Sequence, residues 1–172
     1  MALVSTLAVI SAACSGGGND GASTTTTLRQ SSSSTSSTLA PSEQEVADAY
    51  RAFWDAYFAS ADPMDPLSTR LSDHATGTEL ETVRTAFIAR RSGGEVIRGS
   101  FDLAPRVVSV VGDTATVRDC YLDNTGIYDA TTGNRKDTPT GVRHLITATL
   151  VREGGAWKVS DLHKEGDGCT AA

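Results

Sequence analysis

The spacing of apolar residues predicts helices at the start of the folded part of the chain. A first helix is predicted to begin near Pro41, where Ser42 and Glu45 have capping-box spacing, and to end at Asp62-Pro63. Its apolar face follows the helical period and is strongly aromatic. The residues of this face are Val46, Tyr50, Phe53, Trp54, Tyr57 and Phe58. We interpret the face as core packing, which leaves open that some of its rings also line a ligand pocket.

Further helices are predicted before residue 94. A short helix covers Leu67 to His74. A longer one begins near Thr78, which has capping-box spacing to Glu81, and ends at Gly93-Gly94. The first half of the folded region is therefore predicted to be helical.

After Gly94 the apolar period changes to two, which indicates β-strands. The predicted strands are EVIRGSF, PRVVSVV, TATVRDCYL, HLITATLVR and AWKVSDLH. Tight turns at Gly112-Asp113 and at Glu153-Gly154-Gly155 join neighbouring strands, and residues 129–140 form a polar, mobile loop. Helices followed by consecutive strands predict an α+β domain whose N-terminal helices pack on a curved antiparallel β-sheet.

Residues 1–13, MALVSTLAVISAA, are apolar and uncharged but shorter than the roughly 20 residues of a membrane-spanning helix. We interpret them as a signal peptide. Ala12, Ala13 and Cys14 resemble the lipobox of bacterial lipoproteins, in which the cysteine carries lipid and becomes the mature N-terminus. The resemblance implies an extracytoplasmic protein anchored to the cell membrane by lipid on Cys14. The alternative is an ordinary cleaved signal peptide followed by an unmodified cysteine.

Residues 14–40 consist almost entirely of Ser, Thr and Gly after the cysteine. Such a segment has too little apolar surface to offset the entropy of ordering its backbone, so we predict a disordered stalk. The folded domain is accordingly assigned to residues 41–172.

Composition excludes several classes of function. The 172-residue chain is 39% hydrophobic and can hold one domain with a core. Its net charge of -6 and scattered Arg and Lys argue against nucleic acid as a partner. The chain lacks a phosphate-binding glycine loop, a G-x-S-x-G motif and zinc-type His or Cys spacing, so we predict neither a metal site nor a cofactor.

The order of elements and two hairpin motifs resemble the NTF2-like superfamily, which includes SnoaL-like and ketosteroid-isomerase-like proteins. The motifs are VVGDTATV, from Val110 to Val117, and LVREGGAWKV, from Leu150 to Val159. The resemblance covers about Ser42 to Cys169 and implies a cone in which helices and a concave sheet enclose a pocket. It selects no activity, because the superfamily includes isomerases, cyclases, transport factors and secreted domains without catalytic function.

Three cysteines are present, and lipidation of Cys14 would leave an even pair. Cys120 and Cys169 are then predicted to form a structural disulfide in an oxidising compartment. The alternatives are two free thiols or a redox pair, although neither cysteine lies in a C-x-x-C motif.

The alternation of side-chain direction along two predicted strands indicates four candidate site residues. In TATVRDCYL, Asp119 and Tyr121 share a side with Ala115 and Val117, and in AWKVSDLH, Asp161 and His163 share a side with the apolar Trp157 and Val159. If these sides face the concavity, the four polar residues gather near its mouth, where a carboxylate and a histidine can transfer protons. The competing interpretation is that each is solvated or only hydrogen-bonded. The catalytic candidates are Asp119, Asp161 and His163.

Two functions follow from this interpretation. The first is a non-enzymatic module that binds a small apolar ligand or another envelope protein. The alternative is an enzyme of the isomerase, cyclase or dehydratase type that uses a carboxylate or histidine in the pocket. A sheet-to-sheet homodimer is a third possibility, for which exposed apolar residues such as Leu145 and Val151 on the outer sheet face would argue.

Overall fold

The structure is a computed structural model that describes residues 41–138 and 141–171, with no side-chain description for Pro41. The predictions for the signal peptide, Cys14 and the stalk therefore lie outside the described residues.

In the part of the chain that the structure describes, three helices precede the strands, as predicted. They are α1, Pro41–Ala59, α2, Thr69–His74, and α3, Gly77–Ser92. The capping predictions were wrong in detail. α1 already includes Ser42, and α3 begins one residue before Thr78 with Thr76 as its N-cap, whose hydroxyl donates to Glu153 instead of capping the helix.

Seven strands follow within the described residues, and three of them have four residues or fewer. They are β1, Glu95–Arg98, β2, Phe101–Asp102, β3, Pro105–Val111, β4, Thr114–Asp123, β5, Gly126–Asp129, β6, Arg143–Glu153, and β7, Ala156–Asp167. In the main sheet β4 pairs with β6 and β6 with β7, while β2 and β3 pair with successive parts of β4. β1 and β5 form a separate two-stranded sheet. All the pairs of named strands are antiparallel, and with the helices they make the predicted α+β architecture.

The strand β5 was not predicted, because four residues with a glycine give too weak an alternation pattern. It occupies the position just before the polar loop. In that loop the Asp129 carboxylate accepts hydrogen bonds from the backbone amides of Thr131 and Thr132. The loop is thus ordered locally by its own side chain, and its mobility stays a prediction.

The core lies between the helices and the concave face of the main sheet. From the helices, Tyr50, Phe53, Leu71 and Phe87 are fully buried. The sheet contributes inward residues of β4, β6 and β7, namely Ala115, Val117, Ala148, Leu150, Trp157 and Val159. The apolar face predicted for α1 is therefore correct, and it fixes which side of the sheet encloses space. Among the described residues, no helix is both long and apolar enough to cross a membrane.

Candidate functional site

A cavity of about 460 Å³ opens beside the core, where the end of β4, the start of β6 and the end of β7 meet. Helices, both sheets and the segment after β5 contribute to its wall. The lining residues are Tyr57, Phe58, Arg90, Ile97, Phe101, Asp123, Thr125, Ile127, Asp137, Val142, His144 and Asp167. One part of this lining is apolar and aromatic, and the other part is polar.

The aromatic part is a packed set of rings from α1, α3 and β2. The Phe58 and Phe101 rings meet edge to face with centroids 5.0 Å apart, and Tyr57 meets Phe87 at the same separation. Burial raises the pKa of Tyr57 to about 12, so its hydroxyl stays protonated at neutral pH. This wall can contact the flat apolar body of a small molecule.

The polar part centres on His144, whose side chain is only 14% exposed. Its Nδ1 lies 2.5 Å from Asp167 Oδ1, and its Nε2 lies 4.0 Å from Asp123 Oδ2. A carboxylate only accepts hydrogen bonds, so Nδ1 carries the proton that is donated to Asp167. In the neutral ring Nε2 then has a free lone pair at a residue that lines the cavity.

The two carboxylates beside His144 are held in different ways. Asp123 uses Oδ1 to accept from the Thr125 amide and hydroxyl, at 2.8 and 2.6 Å, and this leaves Oδ2 on the side of His144. Hydrogen bonds from Lys164 and from His144 hold the pKa of Asp167 below its usual range. The Lys164 Nζ lies 2.7 Å from the same Asp167 oxygen that binds the histidine. Asp167 and Asp123 consequently face different ring nitrogens of His144, with Asp167 at Nδ1 and Asp123 nearer to Nε2.

Strand pairing explains why these groups meet. Tyr121 of β4 lies opposite His144 of β6, which in turn lies opposite Asp167 of β7. Directly opposite residues of an antiparallel sheet share a face. Because Tyr121 is buried on the concave side, the histidine and Asp167 are on that side too.

Asp119 and Tyr121 lie on the concave face as predicted, but Asp119 does not line the cavity. It is 1% exposed and accepts hydrogen bonds from the Tyr50 hydroxyl at 3.0 Å and the Ala104 amide at 2.8 Å. Burial raises its pKa, and these two donors partly offset that effect. Burial also raises the pKa of Tyr121 to about 12. Asp119 thus ties α1 to β4 and the turn before β3.

The predicted side for Asp161 and His163 was wrong. A β-bulge lies between the pairs Thr149–Asp161 and Leu150–Val159, so Ser160 is an extra residue on β7. One extra residue reverses the alternation, which turns Leu162 inward and leaves both candidates exposed on the outer face. They do not converge with Asp119 and Tyr121.

The residues that do converge, His144, Asp123 and Asp167, were not selected from the sequence. Counted from the turn at Glu153 and Ala156, regular pairing would place His144 opposite Glu165. A second bulge, between the pairs of Leu145 and Ile146, adds a residue and brings Asp167 into that position. The sequence did carry one signal. Both regular pairing and the observed pairing place a carboxylate opposite His144, Glu165 in the first and Asp167 in the second.

No metal centre is assigned to this cavity. Within residues 41–138 and 141–171, no group of three or more His, Cys, Asp or Glu side chains is arranged to hold a metal ion. Polar residues of the cavity instead have hydrogen-bond partners within the protein, such as Thr125 for Asp123 and Asp167 for His144.

The predicted disulfide between Cys120 and Cys169 is present. Cys120 points to the outer face of β4, opposite in direction to the inward Asp119 and Tyr121. The bond joins the C-terminal end of the described chain to the middle of the main sheet.

Comparison with known proteins identifies the fold. No protein-family model matches the chain, and no curated protein matches it. Among solved structures, the intermembrane-space region of the chloroplast protein ARC6 aligns with a TM-score of 0.57 at 14% identity, covering 71% of this chain and 95% of that one. A candidate dehydratase of the NTF2-like family from Streptomyces avermitilis aligns with a TM-score of 0.44 at 18% identity, covering 72% and 94%.

A candidate aromatic-ring hydroxylase from Novosphingobium aromaticivorans gives a TM-score of 0.48 at 14% identity, covering 74% of this chain and 96% of that one. Likenesses at these identities concern the fold alone. The described residues have the predicted α+β architecture of helices on a strongly curled antiparallel sheet, a fold they share with the ARC6 region.

Proposed function

We propose that this protein is a small-ligand-binding module held on the outer side of a cell membrane by lipid on Cys14. The observation that supports binding is the cavity of about 460 Å³, with an aromatic wall at one side and His144 between two carboxylates at the other. Small-molecule sites typically combine an apolar lining with a few convergent polar groups.

The lining specifies the kind of ligand. Phe58, Phe101, Ile97 and Ile127 offer contacts to a ring-shaped apolar body. His144 Nε2 accepts a hydrogen bond when the ring is neutral, so the matching ligand carries a hydroxyl group directed at it. We therefore expect an uncharged aromatic or alicyclic alcohol of one or two rings.

The location rests on the sequence of residues 1–40. The lipobox-like Ala12, Ala13 and Cys14 follow an apolar segment, and a Ser/Thr/Gly stalk separates them from the domain. The Cys120–Cys169 disulfide agrees with an oxidising compartment. Labelling of cells with radioactive palmitate tests the anchor, which requires label on the wild-type protein and none on Cys14→Ser. Unlabelled wild-type protein in the soluble extracellular fraction would contradict the anchor.

Binding is tested with 2-naphthol, a fluorescent two-ring alcohol, and by native mass spectrometry of the exported protein for a co-purified small molecule. We expect saturable 2-naphthol binding that weakens about tenfold in His144→Ala, the order of one lost hydrogen bond to a partly buried group. His163→Ala is the matched control, because this histidine is exposed on the outer face. Absence of both probe binding and any co-purified molecule, or equal losses in the two variants, would contradict the proposal.

A second candidate function is proton transfer by His144, as in an isomerase, cyclase or dehydratase. The specific observation is the Asp167 contact at Nδ1, which fixes the tautomer and leaves Nε2 to act as a base at the cavity. This assignment moves the candidate role from Asp119, Asp161 and His163 to His144.

Deuterium exchange into 2-tetralone, a two-ring ketone with acidic C–H bonds, distinguishes the two functions. An enzyme would accelerate exchange in deuterium oxide, and His144→Gln would abolish the acceleration. Binding of the ketone without accelerated exchange would leave the protein as a binding module.

A further inference from the structure

The C-terminal end of β7 carries the carboxylate that orients His144. Asp167 is the last residue of the strand and is flanked by Gly166 and Gly168. Glycine loses more backbone entropy on ordering than any other residue, so this short stretch gains little order from its own sequence. Contacts on either side of Asp167 must therefore keep it in place.

On the N-terminal side, Glu165 is held to the outer face. Its carboxylate accepts a hydrogen bond from Arg118 at 2.6 Å and another from the Thr147 hydroxyl. On the C-terminal side, the Gly168 amide donates to the Arg143 carbonyl at 2.9 Å, and Cys169 is bonded to Cys120. The disulfide is the one covalent restraint after Asp167 among the described residues. Without it, only the strand pairing with β6, the Gly168 hydrogen bond and the contacts of Asp167 itself hold the segment from Gly166 to Cys169.

The disulfide is also reachable from solvent. A groove of about 390 Å³ on the outer face is lined by Cys120 and Cys169 together with Arg106, Arg118 and Leu145. Cys120 is buried, whereas Cys169 is partly exposed. The guanidinium group of Arg106 favours the approach of a thiolate anion to this bond, whereas that of Arg118 is paired with Glu165.

We propose that the Cys120–Cys169 disulfide is a positioning element for the cavity: it holds Asp167 against His144, so that the ligand-binding form is completed on oxidation and lost on reduction. This inference rests on the proposed binding function. It gives an exported protein a site that becomes competent only after the chain reaches an oxidising compartment.

Reduction follows ordinary thiol–disulfide exchange. A thiolate of a dithiol such as dithiothreitol attacks one cysteine sulfur, and the other cysteine leaves as a thiolate and takes up a proton. The second thiol of the reagent then displaces the remaining cysteine. Each disulfide reduced consumes one dithiol and yields one cyclic disulfide of the reagent and two cysteine thiols.

The first test reads the geometry without a ligand. In ¹⁵N-labelled protein, the imidazole of His144 should be a single Nδ1–H tautomer when oxidised, and the amides of residues 166–169 should exchange slowly. After reduction with dithiothreitol, with folding checked by circular dichroism, we expect mixed tautomers and at least tenfold faster exchange of these amides. An unchanged tautomer and unchanged protection in the folded, reduced protein would overturn the proposal.

The second test measures 2-naphthol binding. It compares a variant at Asp167 that keeps the disulfide with reduced wild type, so it does not require a cysteine variant that folds. Oxidised Asp167→Ala, which removes the acceptor of the His144 Nδ1–H, should bind the probe as weakly as reduced wild type, about tenfold below oxidised wild type. Reduction of Asp167→Ala should add little, because both changes remove the same contact. Independent, additive losses would overturn the inference. A failure of oxidised wild type to bind any probe would instead contradict the proposed function, and the tautomer measurement would still decide the positioning role.

Discussion

At the scale of single residues, the buried Asp119 has a structural position. It joins three parts of the fold, because its two oxygens accept from Tyr50 of α1 and from Ala104 ahead of β3 while its backbone belongs to β4. A buried carboxylate is tolerated when donors satisfy it and is costly when they do not.

Asp119→Ala is expected to lower the free energy of unfolding by about 2 to 4 kcal/mol, because it leaves the buried Tyr50 hydroxyl without a partner and also removes the acceptor of the Ala104 amide. Asp119→Asn keeps an acceptor oxygen and should cost less. Urea unfolding measures both. Asp102→Ala, at an exposed position of β2, is the control and should change stability by less than about 0.5 kcal/mol. Equal effects of the two alanine variants would contradict this role.

Glu79 is a second buried carboxylate, and no positively charged group is among the main causes of its pKa shift. Burial raises the pKa of Glu79 to about 7, the charge of Asp161 adds to this effect, and the Leu162 amide opposes it. The side chain lies where α3 packs against β7, so its ionisation opposes the docking of that helix.

Stability is therefore expected to fall as the pH rises through the range from about 4.5 to 7. The folded state holds the Glu79 proton more tightly than the unfolded state, so its contribution is complete below pH 4.5 and is lost above the folded pKa of about 7. The effect is at most about 3 kcal/mol. Urea unfolding at pH 5 and pH 8 should show the loss in wild type and a smaller one in Glu79→Gln. The exposed Glu81→Gln on the same helix should retain the wild-type slope, and an equal slope in all three proteins would exclude Glu79 as the cause.

At the scale of elements, α1 combines two roles along one apolar face. Tyr50 and Phe53, in its middle, are fully buried in the core, whereas Tyr57 and Phe58, one to two turns later, line the cavity. The helix is long enough for its C-terminal turns to pass beyond the core and reach the open end of the cone.

Substitutions along α1 should therefore separate stability from binding. Phe53→Ala is expected to cost about 3 to 5 kcal/mol by creating a cavity in the core. Tyr57→Ala should cost less, about 1 to 2 kcal/mol, because this side chain is only partly buried, yet it should weaken 2-naphthol binding severalfold by removing part of the wall. Unfolding and probe titration of the two variants are the measurements. A binding loss in folded Phe53→Ala equal to that in Tyr57→Ala would contradict the division.

The strand β7 illustrates what sequence periodicity can and cannot predict. Apolar alternation correctly placed the strand and the inward Trp157 and Val159. It failed at Asp161 and His163, because the bulge at Ser160 depends on how β7 fits the curvature of the sheet and on contacts such as the Ser160 hydroxyl bond to the Thr149 carbonyl. A local residue pattern does not predict a bulge that is set by tertiary contacts. For the same reason, the pairing of His144 with Asp167 was not predicted.

At the scale of the whole molecule, the architecture was predictable because helical and strand periods occupy separate halves of the domain. The cavity was predictable only as a consequence of the family resemblance, since its polar groups come from strands whose register is set by two bulges. The disulfide was predictable from the count of cysteines. Its effect on the cavity depends on Asp167 lying two residues before Cys169, and this effect became visible only with the register known.

The disulfide should also contribute to global stability. It closes a loop with a sequence separation of 49 residues, for which the chain-entropy relation gives about 4 kcal/mol. Cys120→Ser/Cys169→Ser should therefore unfold at a much lower urea concentration than the oxidised protein. Its m-value should be larger, because the unfolded chain without the bond exposes more surface. Asp167→Ala serves as the control: it keeps the bond and should retain most of the stability while it loses probe binding. If removal of the bond left the unfolding midpoint unchanged, the bond would not destabilise the unfolded chain. The role of the disulfide would then be confined to the cavity.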